Sequence, residues 1–265
     1  MEPTELLEVG CAAAARAGAL LLERFGAAVG GVSHKSSPTD LVSDADRASE
    51  AVLVEALRRE RPGDGLVAEE GSTGRSASGI DWVVDPLDGT INFLFGIPHW
   101  CVALAATDRA GPVVAVIHDP SRAETFTAVR GRGACLNGEP IAVSERADLP
   151  TALIGTGFSY SAARRAEQAR LLTVLLPAVR DIRRAGSASL DLAWLACGRL
   201  DGFYEGPLQL WDRLPGELIA REAGAETLGF SVGAGEGLVG ANPSLAPALF
   251  ELVTGNDQGA RRQDY

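Results

Sequence analysis

The spacing of apolar residues changes along the chain, and those changes outline its elements. Leu and Ala recur at helical spacing from Thr4 to the neighbourhood of Gly26. This predicts a first helix with Thr4 as its N-cap. Residues 30–38, rich in Gly and Ser, read as a mobile loop. Ser43 followed three residues later by Asp46 is an acidic version of a capping pair, and 48–57 continues at helical spacing until Pro62 ends it. Asp40, Asp44 and Asp46 are thereby expected at a loop-to-helix junction.

From Leu66 the period shortens. Apolar runs at 66–68, 82–84, 102–106, 113–117 and 125–129, punctuated by Gly and Pro, predict strands. In the later half, helical stretches at 162–176, 189–196 and 216–223 alternate with strand candidates near Leu153, Ile182, Phe203 and Val239. The change of rhythm predicts an α+β lobe over 1–150 followed by an α/β lobe over 151–265, a layered arrangement overall. No repeat of 20 to 50 residues stands out, and the polar segment 256–265 reads as a frayed tail.

Composition narrows the class. At roughly 150 residues per domain, 265 residues make two lobes or one large domain. With 46% hydrophobic and 22% charged residues, the chain resembles a folded enzyme and not a disordered segment. Its formal charge of −11 argues against a nucleic-acid binder that relies on general phosphate attraction. An anionic ligand would need local help. The apolar stretch 11–22 is interrupted by Arg16, and no run reaches the roughly 18 residues of a membrane span. Glu2 and Glu5 take the place of a secretory signal's positive region. Cys11, Cys101, Cys135 and Cys197 form no C-x-x-C pair, so neither a thiolate metal site nor a disulfide framework is expected. The reading is a cytoplasmic enzyme with no nucleic-acid or membrane partner.

The most informative stretch is Asp81-Trp82-Val83-Val84-Asp85-Pro86-Leu87-Asp88-Gly89-Thr90. Apolar residues lead into Asp85, which is expected at a strand end, and Pro86 and Gly89 turn the chain so that Asp88 comes back beside it. Two carboxylates on such a bend can share a hard cation such as Mg²⁺, Mn²⁺ or Ca²⁺. Glu69-Glu70 follows another short apolar run, and Trp211-Asp212 sits in an apolar neighbourhood. Each motif alone also fits a solvated acidic turn, and Asp212 fits a helix N-cap supported by Pro215. Dispersed His34, His99 and His118 support neither a zinc site nor a Ser-His-Asp triad, and Gly131-Arg132-Gly133 reads as a hairpin turn.

Taken together, Glu69-Glu70, Asp85-Pro86-Leu87-Asp88-Gly89-Thr90 and Trp211-Asp212 resemble, in order and spacing, the motifs of the inositol monophosphatase family. The segment from Lys35 to Asp46 resembles that family's flexible catalytic loop. The resemblance implies the αβαβα sandwich of the sugar phosphatases and hydrolysis of a small phosphate monoester, inositol monophosphate first, by Mg²⁺ and water. It implies that Glu69, Asp85 and the Leu87 carbonyl hold one Mg²⁺ and that Asp85, Asp88 and Asp212 hold a second, with a third, looser ion near Glu69. Thr90 and Asp46 would orient the attacking water, and Lys35 would be the loop's cation. A homodimer inhibited by Li⁺ is also implied.

On the substrate side, Arg184-Ala185-Gly186-Ser187-Ala188 resembles the family's G-[ST]-A turn. Glu205, seven residues before Asp212, resembles its polyol-binding Glu. The expected substrate contacts are therefore Asp88, Gly89, Thr90, Gly186, Ser187, Ala188, Glu205 and Asp212. Arg213-Leu214-Pro215 departs from the family's small apolar residues there, so Arg213 is expected either to alter leaving-group contacts or to point to solvent. Histidinol phosphate, an amino-alcohol ester whose cation suits Glu205, is the nearest rival substrate. Adenosine 3′,5′-bisphosphate fits less well because no aromatic and basic adenine site is evident. A non-catalytic scaffold would be expected to have lost one of the carboxylates, and all are present.

Overall fold

A computed structural model describes residues 2–26, 32–34, 41–233 and 235–255. Lys35, Asp40, most of the loop expected at 30–38 and the tail expected at 256–265 lie outside the described residues. In chain order the elements are α1 (Pro3–Arg24), β1 (Ser33–His34), β2 (Leu41–Val42), α2 (Asp44–Glu60), β3 (Gly65–Ala68), β4 (Thr73–Gly74) and β5 (Asp81–Asp88). Then come α3 (Thr90–Leu94), β6 (Cys101–Asp108), β7 (Gly111–Asp119), β8 (Glu124–Val129), β9 (Ala134–Leu136) and β10 (Glu139–Pro140). The remainder is β11 (Leu153–Thr156), α4 (Ala162–Ala178), β12 (Asp181–Arg183), α5 (Ala188–Ala196), β13 (Gly202–Glu205), α6 (Leu210–Glu222), β14 (Glu226–Val232), β15 (Gly235–Ala241) and α7 (Ala246–Thr254).

The first helix starts earlier than its sequence suggested. Pro3 occupies its first position, where the missing N–H costs nothing, so Glu2 and not Thr4 is the N-cap. At α2 the expected pairing is present: Ser43 caps the helix and Asp46 reaches back to it.

Two mixed sheets form. Eight strands run β10-β9-β8-β7-β6-β5-β3-β4, antiparallel except for β3 beside β5, and five run β12-β11-β13-β15-β14. Alternation along β6 sends Val102, Leu104 and Ala106 to one face, where they pack with Leu6, Leu21 and Leu53 of α1 and α2. Cys101 and Ala103 point the other way, into a core shared with Leu190 and Leu192 of α5, Ile219 of α6, and Phe203 and Leu238 of the second sheet. Small residues on that face let α6 approach closely. Gly216 of α6 likewise has Leu192 Cβ 2.6 Å from where a Cβ of its own would stand, so any side chain there would push α5 and α6 apart. Beyond the second sheet, Ile154, Tyr204 and Val239 pack on Leu175 of α4 and Leu249 of α7. The layers are helices, sheet, helices, sheet, helices: an αβαβα sandwich. No helix among the described residues is long and apolar enough to cross a membrane.

Candidate active site

An unbroken strand would place Asp85 and Asp88 on opposite faces, because side chains alternate and the two are an odd number apart. Here β5 does not end at Asp85. It continues to Asp88 with a bulge between them, pairing Asp85 with Ala103 and Asp88 with Cys101. Three steps on β5 therefore match two on β6, and the extra residue returns both carboxylates to the face that meets α5 and α6. Pro86, which cannot donate to a ladder, sits at the irregularity. Ser49 Oγ of α2 donates to the Pro86 carbonyl at 2.7 Å and pins the bulge. Asp85 then turns on its own backbone, accepting the Leu87 N–H at 2.9 Å.

Next door, Gly89 adopts φ 96° and opens the short helix α3. Besides that left-handed φ, a Cβ at Gly89 would stand 2.9 Å from the His99 carbonyl, so glycine is required twice over. Thr90 Oγ lies 2.9 Å from Asp46 Oδ1 and 3.1 Å from the Leu87 carbonyl. Asp46 is fully buried and also accepts the Ser43 N–H at 2.8 Å. It lies at the third position of α2, not in a loop, and meets the site only through Thr90. Glu50 of the same helix accepts the N–H groups of Glu70 and Ser72 at 2.7 and 3.1 Å, which holds the turn that carries Glu69.

The opposite wall belongs to the second sheet and its helices. Asn92 Nδ2 donates to the Ala185 carbonyl at 2.9 Å, tying α3 to the Gly186-Ser187-Ala188 turn. Ser187 caps α5. Its hydroxyl donates to Asp88 Oδ2 at 2.7 Å, as does the Ser189 N–H at 2.7 Å. Glu205, at the end of β13, lays its carboxylate over Gly157, where a Cβ would come within 2.0 Å of Oε1. Asp212 is at the third position of α6 and accepts the Gln209 N–H at 3.1 Å.

Glu69, Asp85, Leu87, Asp88, Gly89, Thr90, Gly186, Ser187, Ala188, Glu205 and Asp212 all line one cavity of about 540 Å³. Of the residues singled out from sequence, Asp46 lies behind it and Lys35 is outside the described residues.

The cavity's electrostatics follow from this crowding. Burial, then the charges of Glu69, Asp88 and Asp212, push Asp85 well above the usual carboxylate range, and Asp85 and Glu69 share a hydrogen bond. Asp88 is also raised by burial, against the hydrogen bonds from Ser187 and Ser189. Burial and the charges of Asp88 and Glu69 lift Asp212 well above its ordinary value. Glu205 is raised to about 7, by burial and by Asp88, with Arg184 opposing. Five carboxyl groups thus share the wall with a single described cation, Arg184.

Such a site calls for positive charge. The donors are all hard oxygens, four carboxylates and the Leu87 carbonyl, and this set suits a divalent cation of the Mg²⁺ kind. Among the described residues no three acidic, thiol or imidazole side chains are preset around one point, so they would have to close on an ion.

Three expectations change. Helix α6 begins at Leu210, six residues before the start read from the sequence, and takes Pro215 into its second turn. Gln209 rather than Asp212 is therefore its N-cap. Arg213 neither meets a leaving group nor points to solvent. It is buried and paired with Glu217 at 2.7 Å and Glu236 at 3.1 Å, joining α6 to β15. The sequence also showed no aromatic and basic combination, yet Phe158, Tyr160, Trp211 and Arg184 all line the cavity. Ser49, Glu50 and Gly157 were missed as well. Each acts across a long sequence separation and has no local motif to mark it.

The chain matches the Inositol monophosphatase family over residues 2–257. It is 39% identical over 273 aligned positions to an inositol-1-monophosphatase of Mycobacterium bovis, covering 95% of this chain and 94% of that one. It is 45% identical over 197 positions to a Nus factor SuhB of Xylella fastidiosa, covering 74% and 71%. Among solved structures, the extragenic suppressor protein suhB of Bartonella henselae superposes with a TM-score of 0.88 at 34% identity, covering 95% and 99%.

Proposed function

Because this chain belongs to the inositol monophosphatase family and is a phosphoric monoester hydrolase of that type, we propose that it hydrolyses a small phosphorylated polyol, inositol monophosphate first, with Mg²⁺. The observation that supports this most is the gathering of Glu69, Asp85, Asp88, Thr90 and Asp212 around one cavity. In this reading Glu69, Asp85 and the Leu87 carbonyl hold one ion, Asp85, Asp88 and Asp212 a second, and the neighbourhood of Glu69 a looser third. Bound divalent cations would neutralise the phosphate dianion, acidify water and stabilise the departing alkoxide.

The chain's own groups supply orientation. Thr90 donates its proton to Asp46, so the hydroxyl oxygen remains an acceptor and can aim a water at phosphorus. That water attacks in line and the ester P–O bond breaks; its oxygen stays on phosphorus, and the proton it gives up is the one the departing alkoxide takes to leave as the alcohol, with hydrogen phosphate as the other product. No covalent phosphoenzyme is needed. Lys35 lies outside the described residues, and only the family resemblance gives it the role of a further cation for the phosphate. Ser187 and Ser189 hold Asp88 in place, and Glu205 with the backbone of Gly186 to Ala188 receives the hydroxyls of the leaving group. The family resemblance adds a cytoplasmic homodimer sensitive to Li⁺.

A rival of another class is a scaffold for a macromolecular partner, in keeping with the Nus factor name of the Xylella relative. The complete acidic set supports catalysis instead. The test is phosphate release from inositol 1-phosphate, histidinol phosphate, fructose 1,6-bisphosphate and adenosine 3′,5′-bisphosphate, with and without Mg²⁺. Mg²⁺-dependent turnover, fastest on inositol 1-phosphate, is expected. No Mg²⁺-dependent release from any of the four would overturn the reading.

A further inference from the structure

Arg184 has no part in the mechanism so far, yet it is the only Lys or Arg among the described residues that line the cavity. Among the described residues its guanidinium has neither a hydrogen-bond nor an ion-pair partner. It lies against the substrate-side turn, with Nη1 2.9 Å from where a Cβ of Gly186 would stand. Its charge acts on two acids, Glu205 in the cavity wall and Asp191 behind it. Asp191 is 1% exposed, and its Oδ1 has no hydrogen-bond partner. A free guanidinium is thus held next to two buried carboxyl groups and lines the cavity.

We propose that Arg184 is a specificity-determining residue which, opposite Glu205, selects neutral polyol phosphates over esters whose leaving group carries a cation. The proposal rests on the phosphomonoesterase reading above and names its substrate class. Arg184 offers only donors and Glu205, when ionised, only acceptors. A hydroxyl is both, so vicinal hydroxyls can satisfy the two groups together. An amine or imidazolium would be drawn to Glu205 but would meet like charge at Arg184, and that repulsion is the discriminating element. A second phosphate would suit Arg184 but face the Glu205 carboxylate. The pair is complementary to a neutral, hydroxyl-bearing group.

The experiment compares the Mg²⁺-loaded protein with Arg184→Gln and Arg184→Lys on inositol 1-phosphate, histidinol phosphate and p-nitrophenyl phosphate. For Arg184→Gln, the ratio of kcat/KM for inositol 1-phosphate over histidinol phosphate should fall at least tenfold, with the loss on the polyol ester appearing in KM. Arg184→Lys keeps the charge without the planar fork and should fall between. An unchanged ratio, or a proportionate loss on all three esters, would overturn the proposal. Calorimetric binding of inositol 1-phosphate in Ca²⁺ provides a readout independent of turnover: Arg184→Gln should weaken it, and equal affinity contradicts the assignment. A wild-type protein that binds inositol 1-phosphate but hydrolyses none of the three esters would sink the phosphatase reading alone.

Discussion

Gly157→Ala isolates Glu205, the carboxylate proposed to bind the polyol, without touching a proposed metal ligand. A methyl at this position would lie 2.0 Å from Glu205 Oε1, 2.2 Å from its Cδ and 2.3 Å from Oε2. Ordinary contacts need more than 3 Å, so the carboxylate must move by about 1 Å, a displacement that can cost on the order of 100-fold when it misplaces a binding group. Hydrogen bonds to a charged group contribute about 1.5–3 kcal/mol, so losing the substrate's contacts with Glu205 should lower kcat/KM on inositol 1-phosphate about 10- to 150-fold. The obstacle is the end of a flexible side chain and Gly157 is not in a left-handed conformation, so the fold should tolerate the change. Its thermal midpoint should stay within about 4 °C of wild type. Phosphate-release kinetics on inositol 1-phosphate and p-nitrophenyl phosphate make the assay, because the aryl ester has no hydroxyls for Glu205 to hold. Equal losses on both esters, or none on inositol 1-phosphate, would show that Glu205 does not hold the leaving group's hydroxyls.

Two further outcomes follow from the acidic wall. Asp88→Asn keeps an acceptor for Ser187 and Ser189 but removes a charge, so Mg²⁺-dependent phosphate release should fall more than about 100-fold while far-ultraviolet circular dichroism stays near wild type; normal turnover would contradict its role. In the metal-free protein, Asp85, Asp88, Asp212 and Glu205 keep protons that the unfolded chain releases near pH 4, so the folded state binds more protons and loses stability as pH rises from about 4 through about 7. With a chelator the thermal midpoint should drop by at least about 3 °C between pH 5 and pH 8, and Mg²⁺ should remove most of that drop. A midpoint that rises over this range without metal would contradict the raised carboxyl groups.

The parts of the site that a short stretch of chain can encode were legible in the sequence. The Ser43 and Asp46 capping pair, the five strand runs beginning at 66–68, and the turn at Gly131-Arg132-Gly133 between β8 and β9 all depend on neighbours within a few residues. The acids at 69, 85, 88 and 212 were visible because their motif spacing is specific. What was not visible depends on long-range pairing. The bulge that turns Asp85 and Asp88 to one side is a property of β5 against β6. Arg213 looked out of place beside Asp212 because its partners, Glu217 and Glu236, make sense only once α6 packs beside β14 and brings Arg213 to Glu236 of the next strand. Pro215 also hid the true start of α6: a proline in the second turn breaks one backbone bond, and burial of Leu218, Ile219 and Ala220 on the sheets outweighs that cost. Strand β14 went unread because Gly229 and scattered polar residues blur its alternation.

Carboxylates from β5, the turn after β3 and α6 are proposed to gather divalent cations around one phosphate. Calorimetric titration of Mn²⁺ into the chelator-stripped protein tests this proposal most directly, with Asp85→Asn and Asp212→Asn alongside. Wild type should show at least two saturable sites, Asp85→Asn should lose both because its carboxylate is proposed to be shared, and Asp212→Asn should lose one. Unchanged Mn²⁺ binding in Asp85→Asn, with the fold intact by circular dichroism, would contradict the proposal.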